Sequence, residues 1–547
     1  MFSVIFQMTF ESVIRRNTEV ACSDGQAVPQ IRVGAGALTV AVLASSILFA
    51  LALPPVSLWP FAYVALVPWL FALGRTSRGR GLVSGFVLGT LSGLLISGWV
   101  PRALETLGAA AFQAWTGQAL VTAWVGGIPF GLLGAVLAGD RPRPPWIQVA
   151  RVSLAFYLVD LGRSHLPLGV PWGLLGHSQA LVPGVAQLAT LGGVPLVSAL
   201  VAATNAALAT RIGVPRVWLR QATLLAAFFS GACIALGTAG LPAARWLHDL
   251  VPVRAQRPIR LLIVQPNLSP QERWAPWGQR TNLATVASLT EDARAQRSEL
   301  PDLVVWPETI LTTPLEQNPA LAADLDAFVN RLGVPLVLGV AREALSGRAD
   351  RYRNSALWIS PGRGVISIVD KTTAIPVVEG VAPPPLDQLF GWALGPAAGG
   401  SRVETASRDV SLQGRFSIAV ALCYEVVFPG LVERRRATDT AFLLNLANDS
   451  WFQGPEVSAQ QLAFGAFRAI EQRLYLVRAA HGGVSAVVDP YGQTVSSLHS
   501  GTKGALWATV EPGTAPGARE HAGILALPIL GGVAAAFLTT LKGRRRE

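Results

Sequence analysis

Three short segments of this chain each set a reactive side chain at the end of an apolar run. Val304-Val305-Trp306-Pro307-Glu308 presents a carboxylate, Ile368-Val369-Asp370-Lys371 an ammonium, and Val420-Ala421-Leu422-Cys423 a thiol. These are the parts of a nucleophilic acyl-transfer site. The sulfur attacks a carbonyl carbon as thiolate, a nearby Lys lowers the thiol pKa, and a carboxylate takes the thiol proton and later gives it back. Taken singly, each has a blander reading. A cysteine among apolar neighbours is usually a small buried hydrophobe, and a Glu or Lys at a strand end is usually a solvated charge. The match of whole segments therefore carries more weight than any one residue. The other two cysteines, Cys22 and Cys233, read as inert, because three scattered cysteines make neither a disulfide framework nor a zinc site. No glycine-rich phosphate loop and no HExxH helix occurs, so no metal or organic cofactor is implied.

The elements that must position these residues lie between about 241 and 520, where charge returns to the sequence. Strands are predicted at Ile259–Gln265, Leu303–Trp306, Val334–Val340, Ser355–Ile359, Ile366–Val369, Ile418–Cys423, Ala441–Leu446 and Ser485–Val488, all rich in Val, Ile, Leu and Phe as doubly buried strands are. Helices are predicted at about 280–298, 318–332 and 456–473. In the last, Ala459, Leu462, Ala463, Ala466 and Ile470 keep the 3.6-residue period. Alternating strands and helices make a layered α/β domain. Pro307 cannot continue a central ladder, which leaves Glu308 just past its strand, where open α/β sheets place their sites.

The remainder is membrane-like. Of 547 residues 51% are apolar and only 14% charged, and the mean hydropathy is +0.43. A wholly soluble protein carries roughly 25% charged residues, so that class is excluded, and so is disorder. Residues 34–74, 81–101 and 106–139 contain no Asp, Glu, Lys or Arg. Spans are expected at about 34–53, 57–74, 81–100, 116–138, 146–166, 184–209, 219–240 and 523–541. Loops after the second, fourth and sixth spans carry nine arginines (Arg75, Arg78, Arg80, Arg141, Arg143, Arg151, Arg211, Arg216 and Arg220), against Arg102 and Arg163 in the others. The positive-inside rule then puts the N-terminus and the Lys542–Arg546 tail in the cytoplasm and the α/β block outside. The net charge of +11 is thus topology, and nucleic acid drops out as a partner. Four parts follow: a tail at 1–33, seven helices at 34–240, the α/β domain at 241–520, and a last span with its basic tail at 521–547.

Read in order, the motifs resemble the nitrilase superfamily, and within it the membrane-embedded apolipoprotein N-acyltransferases. Val264-Gln265-Pro266-Asn267 with Trp274 is similar to the opening strand and lid of that family. Trp306-Pro307-Glu308 is similar to its general-base segment, and Arg351–Ser355, with Asn354, to the stretch before its lysine. Lys371, Glu379, Cys423-Tyr424-Glu425 and Asn448–Phe452, with Trp451, complete the series. Pro171-Trp172 and Gly176–Gln179 resemble a loop of the membrane part. Where the family usually reads Pro-Phe-Gly-Glu, this chain reads Pro376-Val377-Val378-Glu379.

The resemblance implies an integral membrane bundle of about eight spans plus an extracytoplasmic nitrilase-like αββα sandwich, sited in the bacterial inner membrane. It implies a Glu308–Lys371–Cys423 triad acting as a monomer without cofactor. The acyl donor is a phospholipid, and the acceptor is the α-amino group of a diacylglyceryl-cysteine apolipoprotein. Glu308 serves as base and Lys371 stabilises the oxyanion. Glu379 orients or neutralises Lys371, and Tyr424 and Glu425 shape the acceptor half-site; Trp274, Asn354 and Trp451 support. A membrane-anchored amidase using the same triad with water is the alternative. A transporter or receptor would be expected to lose a triad member, and all three are present. Asp160 and Arg163 either line a substrate path or pair with each other. His481, beside glycines, is a structural residue or an acid/base.

Overall fold

The computed structural model describes residues 16–21, 27–31 and 33–513, except 107, 140–142, 213–215, 250–256, 276–277, 348–350, 376–378, 380–387, 389–402, 406–410 and 453. Cys22, Val377, Val378, the expected span 523–541 and the basic tail lie outside the described residues. A hairpin, β1 (Arg16–Ala21) with β2 (Ala27–Ile31), precedes the helices.

Six of the seven spans expected before residue 241 are helices. They are α1 (Ala35–Ala52), α3 (Arg78–Ile96), α5 (Ala111–Leu137), α6 (Pro145–His165), α7 (Ala189–Arg211) and α8 (Arg216–Asp249). Five of them, all but α6, are long and apolar enough to cross a membrane. Helix α6 has the length, at 21 residues, but carries Arg151, Asp160 and Arg163. The expected span 57–74 is not one helix. It is a 3₁₀ turn at Trp59–Tyr63 followed by α2 (Val67–Leu73), each with a proline, Pro60 or Pro68, in its first turn that has no N–H to extend a helix through. Helix α7 is kinked inside its first turns, where Gly192 and Gly193 leave helical geometry, Gly193 with φ +68°. Helices α3 and α5 touch backbone to backbone. Glycines recur every fourth residue from Gly81 to Gly93, and a Cβ on Gly85 would lie 2.0 Å from the Phe130 carbonyl oxygen. A short helix, α4 (Val100–Thr106), links α3 to α5, and α5 widens into a π turn at Ala123–Gly127.

The α/β part is two six-stranded sheets packed face to face. The first runs in the order β14 (Gly504–Val510), β3 (Ile259–Gln265), β4 (Leu303–Val305), β5 (Leu336–Glu343), β6 (Tyr352–Ser360) and β7 (Gly364–Asp370). The second runs β13 (Thr494–Leu498), β12 (Ser485–Val488), β11 (Leu476–His481), β10 (Thr440–Asn448), β9 (Ser417–Leu422) and β8 (Leu412–Gln413). The central trios β3–β4–β5 and β9–β10–β11 are parallel, and antiparallel strands flank them. Strand alternation builds the layers. Leu261 and Ile263 meet Ile418, Val420 and Leu422 in the core between the sheets. The intervening Leu262 and Val264 face α10 (Gly278–Ala295) and α11 (Pro319–Leu332), which follow the short helix α9 (Pro270–Trp274). Ala419 and Ala421 face α13 (Glu456–Gln472), which comes after the short helix α12 (Pro429–Arg434). The expected αββα sandwich is present.

Helix α13 is buried on both sides. Phe464, Ala466 and Ala469 pack on the second sheet, and Phe467 and Ile470 pack on Leu174, Val185 and Val197 of the helical part. One side chain pins the two parts together. Gln460 accepts from Trp99 Nε1 and Trp172 Nε1, both at 3.1 Å, and donates to the Pro54 and Ile96 carbonyls at 3.0 and 2.8 Å. Its amide is fully bonded although buried, so it costs little to bury and fixes one seating of the domain on the bundle.

Candidate active site

Each triad residue sits where a strand ends. Strand β4 stops before Pro307, and Thr309 takes φ +50°, turning Glu308 out of the ladder. Gly339 on β5 makes room for this turn: a Cβ there would lie 2.5 Å from Glu308 Cα. Lys371 follows β7, held by its N–H to the Asn354 carbonyl at 2.8 Å. Cys423 follows β9 with φ +49°, at the start of a 3₁₀ turn, Cys423–Val427. A positive φ on a non-glycine residue is strained, and here it turns the thiol off the sheet while the turn offers its first backbone N–H groups beside it. The elbow is held by Asn445 Nδ2, which donates to the carbonyls of Ala421 at 2.8 Å and Cys423 at 3.2 Å.

The side chains converge. Lys371 Nζ lies 3.3 Å from Glu308 Oε1 and 2.7 Å from Glu379 Oε1. Asn354 Nδ2 donates to Glu308 Oε1 at 2.6 Å, and Glu379 Oε2 accepts from the Ile375 N–H at 2.9 Å. Glu308, Asn354, Glu379, Cys423, Tyr352 and Trp451 line one cavity of about 350 Å³. Gln461 donates to Cys423 Sγ at 3.9 Å, and its Oε1 accepts from Arg478, which is paired with Asp449 at 2.6 Å.

The electrostatics follow from burial. Burial works against the Lys371 ammonium, but Glu308 and Glu379 outweigh it and hold the pKa well above its ordinary value. Burial raises Glu308, against the opposing pull of Lys371. Burial, then the Glu308 charge, raise the Cys423 thiol, and Lys371 offsets this only in part. Lys371 does lower the thiol pKa, as expected, but burial and Glu308 outweigh it. With two carboxylates around one ammonium, the resting sulfur keeps its proton. The proton must leave as the sulfur attacks, and a raised carboxylate is the better acceptor for that step.

A second, apolar cavity adjoins the first, sharing Ala103, Ile375 and Phe452 with it. It runs between α3, α5 and the α/β domain, lined by Phe49, Ile96, Val121, Trp124 and Phe130, with Tyr424 and Gln461 at its domain end.

Two family models match the chain in tandem: the apolipoprotein N-acyltransferase N-terminal domain over residues 45–207, and carbon–nitrogen hydrolase over 263–520. The chain is 27% identical to an apolipoprotein N-acyltransferase of Geobacter metallireducens over 455 residues, covering 82% of this chain and 84% of that one. It is 29% identical to that of Brucella melitensis over 465 residues (81% and 84%) and 28% identical to that of Pseudomonas aeruginosa over 490 (86% and 89%). The chain belongs to the apolipoprotein N-acyltransferase family. It is an N-acyltransferase, built on a carbon–nitrogen hydrolase domain. Among solved structures it is similar to an amidase of Nesterenkonia sp. AN1, at 17% identity and TM-score 0.36 over 48% of this chain and 93% of that one. A carbon–nitrogen hydrolase of Helicobacter pylori G27 is similar at 14% identity and TM-score 0.35 over 46% and 89%.

The remaining expected residues of the enzyme divide by where they fall. Asn354, Glu379 and Trp451 lie at the cavity. Trp451 Nε1 donates at 2.8 Å to the Asn448 amide oxygen, in the amide orientation set by its neighbours. Tyr424 stacks on Trp172, with ring centres 6.2 Å apart, and forms a wall of the apolar cavity. The Trp274 side chain lies outside what is described. Glu425 does not reach the cavity, contrary to a role in shaping an acceptor site. It is fully buried beneath it, accepting from Thr372 N (2.7 Å), Thr373 N (3.0 Å) and Leu422 N (2.8 Å) and pairing with Arg435 at 2.7 Å. It ties the end of the lysine strand to the end of the cysteine strand, which makes it a positioning residue. Asp160 and Arg163 pair at 3.5 Å, and Arg163 also lines the apolar cavity. His481 ends β11 with its ring buried, and burial, then Arg273, hold its pKa well below the usual value, so the ring is neutral.

Sequence reasoning missed Arg273, Asn445, Gln461, Arg435 and Arg478. Buried arginines in apolar strands and helices were the available signal, since such charges stay inside only when paired.

Proposed function

We propose that the enzyme moves an acyl chain from a phospholipid to the α-amino group of an N-terminal diacylglyceryl-cysteine on an apolipoprotein, through a thioester on Cys423. The observation that carries this reading is the junction of a charged cavity holding Glu308 and Cys423 with an apolar cavity between the membrane helices. A hydrolase with only water and a polar amide to accommodate has no use for that second cavity.

Glu308 takes the Cys423 proton as Sγ attacks the ester carbonyl. Lys371 and a backbone N–H at the Cys423 turn stabilise the oxyanion. The C–O bond breaks, the lysophospholipid oxygen takes the proton from Glu308, and the acyl chain stays on sulfur. The acceptor amine then attacks the thioester, Glu308 removes the amine proton, and Cys423 leaves as thiolate and is reprotonated. Glu379 keeps Lys371 charged and in place. The arginine pattern of the loops supports a catalytic domain on the outer side of a bacterial inner membrane, where both lipid substrates reach it.

The test is intact-protein mass after exposure to phospholipid, followed by a diacylated lipopeptide. The expected result is one added acyl mass on Cys423, removable by hydroxylamine, that passes to the lipopeptide amine. Acyl loading that discharges to water as fast without lipopeptide as with it would establish the amidase-like alternative instead.

A further inference from the structure

Two side-chain amides converge on the nucleophile, and one buried guanidinium orients both. Arg478 is fully buried, and a guanidinium can only donate. Its Nη1 donates to Asn445 Oδ1 and, at 3.1 Å, to Gln461 Oε1, while its Nη2 pairs with Asp449 at 2.6 Å. Both amide oxygens therefore face Arg478, and both NH2 groups face the cysteine. That of Asn445 donates to the Cys423 carbonyl at 3.2 Å, and that of Gln461 to Cys423 Sγ at 3.9 Å. Turning either amide over would set its NH2 against the guanidinium. Gln461 is buried on α13, one residue after the Gln460 that seats this helix on the bundle. It lines the apolar cavity, whereas Glu308 lines the charged one. A thiol sulfur is a weak acceptor, which suits a contact as long as 3.9 Å. A thiolate accepts more strongly, and hydrogen bonds to ionised groups are shorter, so the donor is drawn in as the sulfur ionises.

We infer that Gln461 is a further catalytic residue, whose Nε2–H donates to the Cys423 sulfur and stabilises the thiolate released when the acceptor amine cleaves the thioester; the inference rests on the function proposed above. The amine nitrogen adds to the thioester carbonyl, and its proton passes to Glu308. The C–S bond then breaks with its electron pair on Sγ, the amide product leaves, and the proton returns from Glu308 to Sγ. Between those last two events the sulfur carries a full negative charge in a buried site. Lys371 is also committed to Glu379, at 2.7 Å, so its charge is shared. A neutral N–H already fixed in place stabilises the sulfur without adding a charge to the site. The same contact eases loss of the thiol proton in the first half-reaction.

The experiment compares wild type, Gln461→Met and Gln461→Glu, each as full-length protein in detergent. Methionine keeps the length and loses the N–H. Glutamate keeps the shape and pairs with Arg478, but its oxygens only accept. Alkylation of Cys423 by iodoacetamide, followed by peptide mass, needs no lipid substrate. The charged groups acting on the sulfur, Glu308, Lys371, Asp449 and Glu379, are the same in all three proteins, and so is Arg478 behind Gln461. Losing a hydrogen bond to a charged group predicts a thiolate fraction roughly tenfold smaller in Gln461→Met. A more basic thiolate is the better nucleophile, so the alkylation rate falls by less, roughly threefold, and further in Gln461→Glu. Discharge of the acyl-enzyme to lipopeptide should slow roughly tenfold in Gln461→Met and more in Gln461→Glu, with the phospholipid KM and the melting temperature unmoved. A role in packing alone predicts the opposite order, because glutamate preserves the shape and the Arg478 contact. A Gln461→Met protein with wild-type alkylation and discharge rates overturns the inference. So does a Gln461→Glu protein less impaired than Gln461→Met, or a loss that tracks a raised phospholipid KM or a lowered melting temperature. The proposed function fails separately: wild type would then never load from phospholipid, while the alkylation rates would still read the Gln461 contact.

Discussion

Replacing Glu425 with alanine separates a residue that touches substrate from one that holds the site together. Its carboxylate is fully buried and receives three backbone N–H groups, the Thr372 hydroxyl and both Nη atoms of Arg435, at 2.7 and 3.2 Å. Alanine removes one partner of a buried ion pair and leaves the Arg435 guanidinium uncompensated, which costs about 3–5 kcal/mol. The orphaned N–H groups add to this, although water entering the space offsets part. For a domain of this size the melting temperature should fall by roughly 10 °C. The same loss frees Thr372–Thr373 from Leu422, so Lys371 and Cys423 drift apart and loading of Cys423 should fall together with stability. The assays are thermal unfolding in detergent and intact mass after phospholipid exposure. A Glu425→Ala protein with unchanged melting that loads Cys423 normally and then stalls before lipopeptide would refute this reasoning and place Glu425 in the acceptor step.

Cys423→Ser should keep the fold and lose turnover, because a buried hydroxyl is a far poorer nucleophile and no histidine base stands by; folded protein with more than trace activity would contradict the thioester route. Glu308→Gln should never acquire the acyl mass, since the other carboxylate at the cavity, Glu379, is engaged by Lys371 at 2.7 Å and by the Ile375 N–H. Because burial raises the Glu308 pKa, the ionised base is lost as pH falls while still above the ordinary carboxylate range. Single-turnover loading should therefore decline on the acid side at a higher pH than an exposed Glu would give, and a loading rate flat down to pH 5 would count against Glu308 as base. Alkaline phosphatase fused near residue 512 should be active, and fused after Arg546 inactive; the reverse pattern would invert the orientation.

Lys371 follows the half-exposed edge strand β7, whereas Glu308 and Cys423 were legible because β4 and β9 are buried on both faces. Such strands read as continuous apolar runs, so the first polar residue after each run stands out as a strand end. Strand β11 escaped for the complementary reason. Leu476–His481 is fully buried, yet Arg478 and His481 break the apolar run, and only the partners Asp449, Asn445 and Gln461 make Arg478 tolerable there. Spans were legible where uncharged length alone sufficed, as in α1, α3 and α5. The 57–74 stretch has that composition but not the helix, because Pro60 and Pro68 interrupt the hydrogen-bond ladder.

What the sequence determined by itself was therefore local and periodic: apolar run length, strand ends, the fourth-residue glycines of α3, and the reactive types of Glu308, Lys371 and Cys423. What only the tertiary structure decided was which charges share a dielectric. Burial, then the Glu308 charge, with Lys371 held between two carboxylates, leave the Cys423 thiol protonated at rest. The burial of Glu425 against Arg435 makes it a brace. The seating of α13 through Gln460 joins a charged cavity to an apolar one. These contacts join residues from 8 to 406 positions apart in the chain, and Coulomb energies and desolvation follow distance in space, which a linear pattern does not contain.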